Sequence, residues 1–419
     1  EIMPENFHID MPEAVRNIIH TIEEHGFKAY AVGGCIRDSI LGRNPDDWDI
    51  TTSAVPSQIK TFFKRTVDTG IAHGTVTIMI DKTGYEVTTY RIDGEYEDGR
   101  HPKSVEFSDR LVDDLCRRDF TINAMAYNDT DGFVDEFKGL DDLDTKIIRC
   151  VGEPELRFTE DALRMMRAIR FSAQLGFTID EATWNAIKKL SPSISKISME
   201  RVHVELGKTL MSAHPDYVAQ YSEAGLFAPI LPVIDNALKS RYKHKILATL
   251  QHTPDNIYLR YAALFITSTP DEAAKTLRAL KLDNKTVNTV SKLVELSKMD
   301  IEETEPAVRT ALNKYGRDFL PLWHELMMAV IQASEDITGI SNPAKVKHLL
   351  TLKRLGTDIL ARGDCFTIKD LDISGNDLIE YGLQGHEIGE TLKSLLDIVI
   401  ENPKLNDKAT LIAMIEHIK

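Results

Sequence analysis

Asp47-Trp48-Asp49-Ile50 sets two carboxylates two residues apart. On a strand, residues so spaced leave the same face, so Asp47 and Asp49 project together while Trp48 and Ile50 turn toward a core. A third acid, Glu86, lies in the strand-like run Tyr85-Glu86-Val87-Thr88. Hard, oxygen-seeking Mg²⁺ takes carboxylates and phosphates together, and a pair of such ions activates a hydroxyl while steadying a leaving pyrophosphate. The catalytic candidates are therefore Asp47, Asp49 and Glu86, with Asp47 and Asp49 as metal ligands. Ahead of them, Gly33-Gly34 marks a strand-to-helix turn, where bare backbone N–H groups and a helix N-terminus receive phosphate oxygens. Arg37, one turn into that helix, reaches the same phosphates. Singly, a D-x-D is also a solvated strand end and a Gly-Gly a plain turn. Their order favours chemistry: strand, Gly-Gly, helix, then D-x-D about a dozen residues on.

Two further runs have the side chains to hold a nucleotide. In Arg117-Arg118-Asp119-Phe120-Thr121-Ile122-Asn123-Ala124-Met125, Arg118 can fork onto phosphate or ribose oxygens, and Asp119 can accept from a ribose 2′-OH. The same pair would also serve as a surface ion pair on an amphipathic helix. The second run, Thr159 to Phe171, reads as one helix with Thr159 as N-cap and Leu163, Met166, Ile169 and Ala173 as its buried stripe. Asp161, Arg164, Arg167 and Arg170 recur every three residues. At about 100° per residue such a ladder drifts about 60° per step, so a nucleotide lying across the helix meets several rungs. Cytosine and adenine each offer an amino donor beside a ring-nitrogen acceptor, which suits an aspartate–arginine pair. Uracil and guanine present the opposite polarity and would leave desolvated groups unpaired, at ~1–3 kcal/mol each. The plain alternative is that Glu160 and Asp161 are first-turn acids and the arginines a solvated face.

The elements that must position these residues change texture along the chain. Up to about residue 145, strand-like segments (Ala29 to Val32, Trp48 to Thr51, Thr75 to Ile80, Tyr85 to Arg91) mix with helical ones, and the polar stretch from Arg91 to Pro102 predicts a mobile loop. Beyond it, helical periodicity dominates, with breaks near Ser212–Pro215, Thr267–Pro270 and Glu302–Pro306. The expected fold class is α+β: a mixed-sheet head followed by an all-α remainder. The 419 residues are too many for one ordinary core. A net charge of -15 means that any nucleic-acid contact must use local basic patches rather than the overall field. Cys35, Cys116, Cys150 and Cys365 include no close pair, which gives no zinc spacing or disulfide framework and fits a reducing cytoplasm. No apolar run approaches the ~20 residues of a membrane span, and no Walker loop, GxGxxG, HExxH or GxSxG is present.

Gly33-Gly34-Cys35-Ile36-Arg37-Asp38 followed by Asp47-Trp48-Asp49-Ile50 resembles the first motif of polymerase-β-type nucleotidyltransferases, in detail that of the class II bacterial CCA-adding tRNA nucleotidyltransferases. Arg117 to Met125 is similar to the second motif, and Glu160-Asp161-Ala162-Leu163-Arg164 to the base-templating motif. The resemblance implies that Asp47 and Asp49 bind Mg²⁺, that Gly34 and Arg37 hold a triphosphate, which Gly33 and Arg118 would also reach, and that Asp161 and Arg164 read the base with Arg167 and Arg170 assisting. Asp135 and Gly139-Leu140 match a structural linking motif, and Glu200-Arg201 the motif that buttresses the templating helix. It further implies a catalytic head over residues 1–145, a base-selecting neck over 146–211, a tRNA-binding body over 212–305 and a tail over 306–419. The run Asp377 to Gly389 is similar to the part of the tail that holds the tRNA elbow, and the basic candidates for RNA contact are Lys239, Arg241, Lys243, Lys245, Arg278, Lys281 and Lys285. The implied activity is template-independent addition of C and A to a tRNA 3′ end from CTP and ATP, in the cytoplasm, with no membrane or protein partner.

Three relatives of that activity stay in view. Poly(A) polymerases share the head, but their basic run after the first motif is missing. CC-only enzymes lack the loop that Asp93, Tyr96, Asp98 and Arg100 mark here, and A-only enzymes keep every motif. A catalytically silent RNA- or nucleotide-binding protein on the same fold would not need Asp47, Asp49 and Glu86 intact.

Overall fold

The computed structural model describes residues 7–93 and 105–418. The chain forms two compact units, Glu1–Pro232 and Val233–Lys419. The expected segments 1–145 and 146–211 both fall in the first unit, whereas 212–305 spans the division between them.

The first unit opens with helix α1 (Glu13–Glu24), whose Val15, Ile18, Ile19 and Ile22 recur at helical spacing and are buried. Strand β1 (Ala29–Val32) leads into α2 (Gly34–Ile40), then come β2 (Asp49–Thr52), α3 (Pro56–Phe62), β3 (Thr66–Gly70), β4 (Thr75–Ile80) and β5 (Thr83–Thr89). After them lie β6 (Arg91–Asp93), β7 (Val105–Phe107), α4 (Leu111–Cys116), β8 (Ala126–Asn128) and β9 (Gly132–Val134). Seven strands make one sheet in the order β3-β4-β5-β2-β1-β8-β9. All four residues of β1 are buried, as expected of a strand flanked on both sides.

The register of this sheet brings the chemistry together. Val32, the last residue of β1, lies opposite Asp49 on one side and Ala126 on the other. Strand β2 runs parallel to β5, pairing Ile50 with Val87. With side chains alternating along each strand, the buried Ile50 and Val87 share one face, and Asp49 and Glu86, one residue earlier on each, share the other. The chain leaving β1 at Gly33 therefore emerges beside the carboxylates.

Two expectations are corrected. The stretch from Arg91 is not all loop: Arg91–Asp93 pairs antiparallel with Val105–Phe107 because their backbone groups satisfy one another. Tyr96, Asp98 and Arg100 lie outside the described residues. The second correction concerns the arginine ladder. After α5 (Gly139–Thr145) and β10 (Ile147–Ile148), helix α6 (Pro154–Glu160) ends before Asp161, and α7 (Leu163–Leu175) starts after it. Asp161 itself is extended, with φ -145° and ψ 107°. Thr159 is not an N-cap; it lies inside α6, where its hydroxyl donates to the Glu155 carbonyl at 2.7 Å. The break holds because the Asp161 carboxylate accepts the Leu163 N–H at 3.0 Å, so the aspartate caps the second helix instead of continuing the first. Strand β11 (Thr178–Ile179), α8 (Glu181–Leu190) and α9 (Met199–Leu210) follow.

The described residues of the second unit carry helices and no strand, the longest being Phe319–Thr338 and Pro343–Arg362. Its interior includes Arg309, 3% exposed, whose guanidinium donates to Asp364 at 3.0 Å, Glu305 at 2.8 Å and the Ile400 carbonyl at 2.7 Å. Near the end, Ser374 and Asp377 cap the helix Gly375–Tyr381 reciprocally, and Asp377 also pairs with Lys408 at 2.9 Å. No helix among the described residues is long and apolar enough to cross a membrane.

Candidate active site

Gly33 has φ +84° and ψ -133°, a backbone conformation that L side chains rarely adopt. Its N–H donates to the Met125 carbonyl at 3.1 Å, tying the corner to the second motif. A Cβ on Gly33 would stand 3.1 Å from Nη1 of Arg118, so the bare glycine leaves that guanidinium room at the corner. A Cβ on Gly34 would meet Nη2 of Arg37 at 3.4 Å. Corner, Arg37 and Arg118 thus form one anion-receptive cluster. Within it Nε of Arg118 is buried and has no hydrogen-bond partner among the described residues, a donor that a phosphate oxygen would satisfy.

The carboxylates face this cluster. Asp47 and Asp49 are exposed, while Trp48 between them is buried, as the strand alternation predicts. Asp47 itself precedes β2, which starts at Asp49. Surrounding protein pushes the Asp49 carboxyl above its usual range; Arg118 pulls it back, and the charge of Asp47 raises it further. Glu86 is raised by desolvation first and then by Asp49 and Asp47. Asp49 and Glu86 therefore both feel the charge of Asp47, and Glu86 also feels that of Asp49. Among the described residues no group of three or more His, Cys, Asp or Glu side chains is placed to hold a metal ion by itself, so further oxygen ligands would have to come from substrate or water. An open set of mutually repelling carboxylates beside a phosphate-receptive corner fits a divalent cation that also takes phosphate oxygens.

Beside strand β2 lies a residue that the sequence motifs did not single out. Asp114 in α4 is fully buried and accepts from Arg117 at 3.2 Å and Arg118 at 3.3 Å. Burial pushes its carboxyl up, but the two arginines and the Thr51 hydroxyl outweigh burial and hold it below the usual range. The spacing Asp114-x-x-Arg117-Arg118 was a legible signal, since helix residues three and four apart are neighbours.

The nucleotide-side candidates are held by protein partners. Asp119, 7% exposed, accepts the Phe120 N–H at 2.8 Å and the Asn123 amide at 3.2 Å, and it pairs with Arg167 at 2.7 Å. Asp161 pairs with Arg201 of α9 at 2.9 Å. Arg164 donates to Glu160 at 2.6 Å and to the Arg117 carbonyl at 3.0 Å, which brings the candidate base-reading residues against the second motif. Arg170 differs from the other rungs: it is 7% exposed, with its guanidinium on Glu205 at 2.6 Å and Gln174 at 3.4 Å. Asp135 accepts the Gly139 and Leu140 N–H groups at 2.7 and 3.0 Å, a structural role like the one the resemblance implied.

Comparison with known proteins bears on the whole chain. A poly A polymerase head domain model matches residues 29–149, a model described as "Probable RNA and SrmB- binding site of polymerase A" matches 176–238, and one for domain 2 of tRNA nucleotidyltransferase matches 258–415. The CCA-adding enzyme of Pediococcus pentosaceus is 34% identical over 98% of both chains. That of Limosilactobacillus fermentum is 36% identical over 98% of this chain and 97% of its own. The chain belongs to the CCA-adding enzyme family. A solved structure of the Bacillus stearothermophilus CCA-adding enzyme in complex with CTP is similar throughout: 31% identity, TM-score 0.75, 97% of this chain and 98% of that one. The α+β head with a helical remainder is therefore the CCA-adding enzyme fold, and the chain is a tRNA nucleotidyltransferase. The family's chemistry uses divalent metal ions generally.

Proposed function

We propose that this chain adds C and A to the 3′ end of tRNA from CTP and ATP without a nucleic-acid template, and that it does so with Mg²⁺ in the cytoplasm. The observation that carries the reading is the triad Asp47, Asp49 and Glu86, coupled through their charges beside the Gly33 corner and the Arg118 fork. Relatives named for CCA addition align with the chain from end to end.

Asp47 and Asp49 would hold the metal, which supplies charge neutralisation for hydroxyl and phosphate oxygens when bound. Gly33 and Gly34 present backbone N–H groups to the triphosphate, and Arg37 and Arg118 neutralise it. Glu86 adds the third carboxylate beside the incoming tRNA 3′-OH. That oxygen bonds to the α-phosphorus while the bond between the α-phosphorus and the bridging oxygen breaks; the hydroxyl proton passes to water and pyrophosphate departs. Asp161 and Arg164 select C and A by polarity; Arg201 and Glu160 hold them in register. Arg167 and Asp119 line the nucleotide side, and Arg170 serves the site as scaffold for α7.

The division into catalytic head, base-selecting neck, tRNA-binding body and elbow-binding tail belongs to the same reading. In the second unit, Arg241, Tyr242, Lys245 and Lys345 line a groove of about 400 Å³ together with the aliphatic Val330, Ile331, Ile337 and Ile340, and its three cations suit RNA backbone on a chain of net charge -15.

The test is incubation of the pure chain with tRNA lacking its last three nucleotides and with tRNA already ending in CC, with CTP and ATP together and separately. Addition of both C and A supports the full activity; addition of A alone to tRNA already ending in CC would reduce it to A-only. Asp47→Ala should abolish both additions while tRNA binding persists, and full activity in that variant would overturn the metal-site reading.

A further inference from the structure

We propose that Asn123 is a positioning residue that couples triphosphate grip to base choice, through a closed relay from the glycine corner to the templating helix. This rests on the reading of Arg37 as a triphosphate residue and α7 as the base-selecting helix. Nη1 of Arg37 donates to Oδ1 of Asn123 at 2.5 Å. Nδ2 of Asn123 donates to Oδ1 of Asp119 at 3.2 Å, and the other Asp119 oxygen takes Nε and Nη2 of Arg167 at 2.8 and 2.7 Å. The amide orientation is dictated by its neighbours: the reversed amide would aim N–H at a guanidinium and C=O at a carboxylate. Asn123 is 6% exposed, so neither contact is replaced by bulk water.

The relay closes on one aromatic ring. Phe171 of α7 is 5% exposed, with the Arg37 guanidinium 5.0 Å from its centroid and that of Arg167 at 5.2 Å. Arg170, fixed by Glu205, packs on the same ring at 4.1 Å. Arg37 and Arg167 are thus linked twice, by hydrogen bonds through Asn123 and Asp119 and by cation–π contact through Phe171. A phosphate that draws Arg37 toward the corner must pull on the helix that carries Arg164. A correctly paired base that seats α7 must in turn set Arg37. Asn123 is the one neutral member of the hydrogen-bonded path, and without its amide the two charged ends lose their common register.

The experiment measures single-nucleotide addition by the full chain on tRNA lacking its last three nucleotides, with CTP and with UTP. Asn123→Ala should raise the KM for CTP about tenfold and lower the CTP-over-UTP ratio of kcat/KM about tenfold. Asn123→Asp keeps the acceptor for Arg37 but turns a carboxylate toward Asp119. It should leave the KM for CTP within about twofold and still lower the ratio. A residue that only packs would lower kcat for both nucleotides alike or lower Tm, with the ratio unmoved, and that result in both variants overturns the proposal. Should neither variant fold, the ratio in Phe171→Leu decides it: loss of discrimination supports the coupling and an unchanged ratio overturns it. Wild-type protein that adds neither C nor A would defeat the functional reading itself, whereas an active wild type with an unmoved ratio defeats only the relay.

Discussion

Arg164, the proposed base reader, shows how protein contacts fix the direction of a charged side chain. Its guanidinium lies between Glu160 and the Arg117 carbonyl, so its direction is set before a base arrives. Arg164→Ala should blur base choice more than it weakens triphosphate binding. Unpaired polar groups cost ~1–3 kcal/mol, so roughly a 5–150-fold loss in the CTP-over-UTP ratio is expected, read from kcat/KM values. Asp119 supports a second prediction at this scale. Burial pushes its carboxyl up, but the charges of Arg167 and Arg164 and the hydrogen bonds from Asn123 and Arg167 bring it well below its ordinary value of 3.8. A depressed folded-state pKa contributes stability that is present above the ordinary value and drains as pH falls below it. Thermal melts of the wild type should therefore lose stability as pH drops below about 4, and Asp119→Asn should flatten that dependence while lowering stability at neutral pH.

Elements meet here through contacts close enough to exclude single atoms. Gly139 opens α5, where a Cβ would stand 2.3 Å from the Thr121 carbonyl oxygen and 2.9 Å from Met125 Cγ and Sδ. Those two residues belong to the second motif, so α5 braces the segment that carries Arg118 and Asn123. Gly139→Ala gains up to about 1 kcal/mol of helix propensity, but forcing an atom into that space costs about 1–3 kcal/mol and displaces backbone. The expected outcome is a net fall in Tm of several degrees by calorimetry, with kcat falling because the Asn123 segment shifts. The break between α6 and α7 belongs to the same scale. A continuous helix would leave Asp161 one rung among four, whereas the extended residue lets its carboxylate cap α7 and meet Arg201 together.

For the whole molecule, charge is the problem to be solved. A net charge of -15 repels a polyanion, so affinity for RNA must come from clustered cations. The groove lined by Arg241, Tyr242, His244, Lys245 and Lys345 gathers such cations, with the Arg241 guanidinium over the Tyr242 ring at 4.8 Å. Replacing Arg241 and Lys245 together by alanine should raise the KM for tRNA severalfold and leave the KM for CTP unchanged. The salt dependence of tRNA binding should fall in slope by roughly one for each phosphate no longer neutralised. An unaltered salt slope in filter-binding titrations would remove this groove from the RNA path.

What the chain determined by itself was local and periodic. Alternation around Trp48 and Ile50, the glycine pair at a strand end and the helical texture beyond residue 145 need only neighbouring residues, because side-chain direction follows backbone period. Tertiary structure decided which partner each of several like residues meets. Arg170 and Arg164 occupy equivalent rungs in sequence, yet one is sealed against Glu205 and the other set beside Arg117. Among the partners of Arg37, Arg167 and Arg201 are Asn123, Asp119 and Asp161, each tens of residues away, and only folding brings those groups within hydrogen-bonding distance. A buried charge takes its role from whatever neutralises it, and that neighbour is chosen by packing rather than by spacing along the chain.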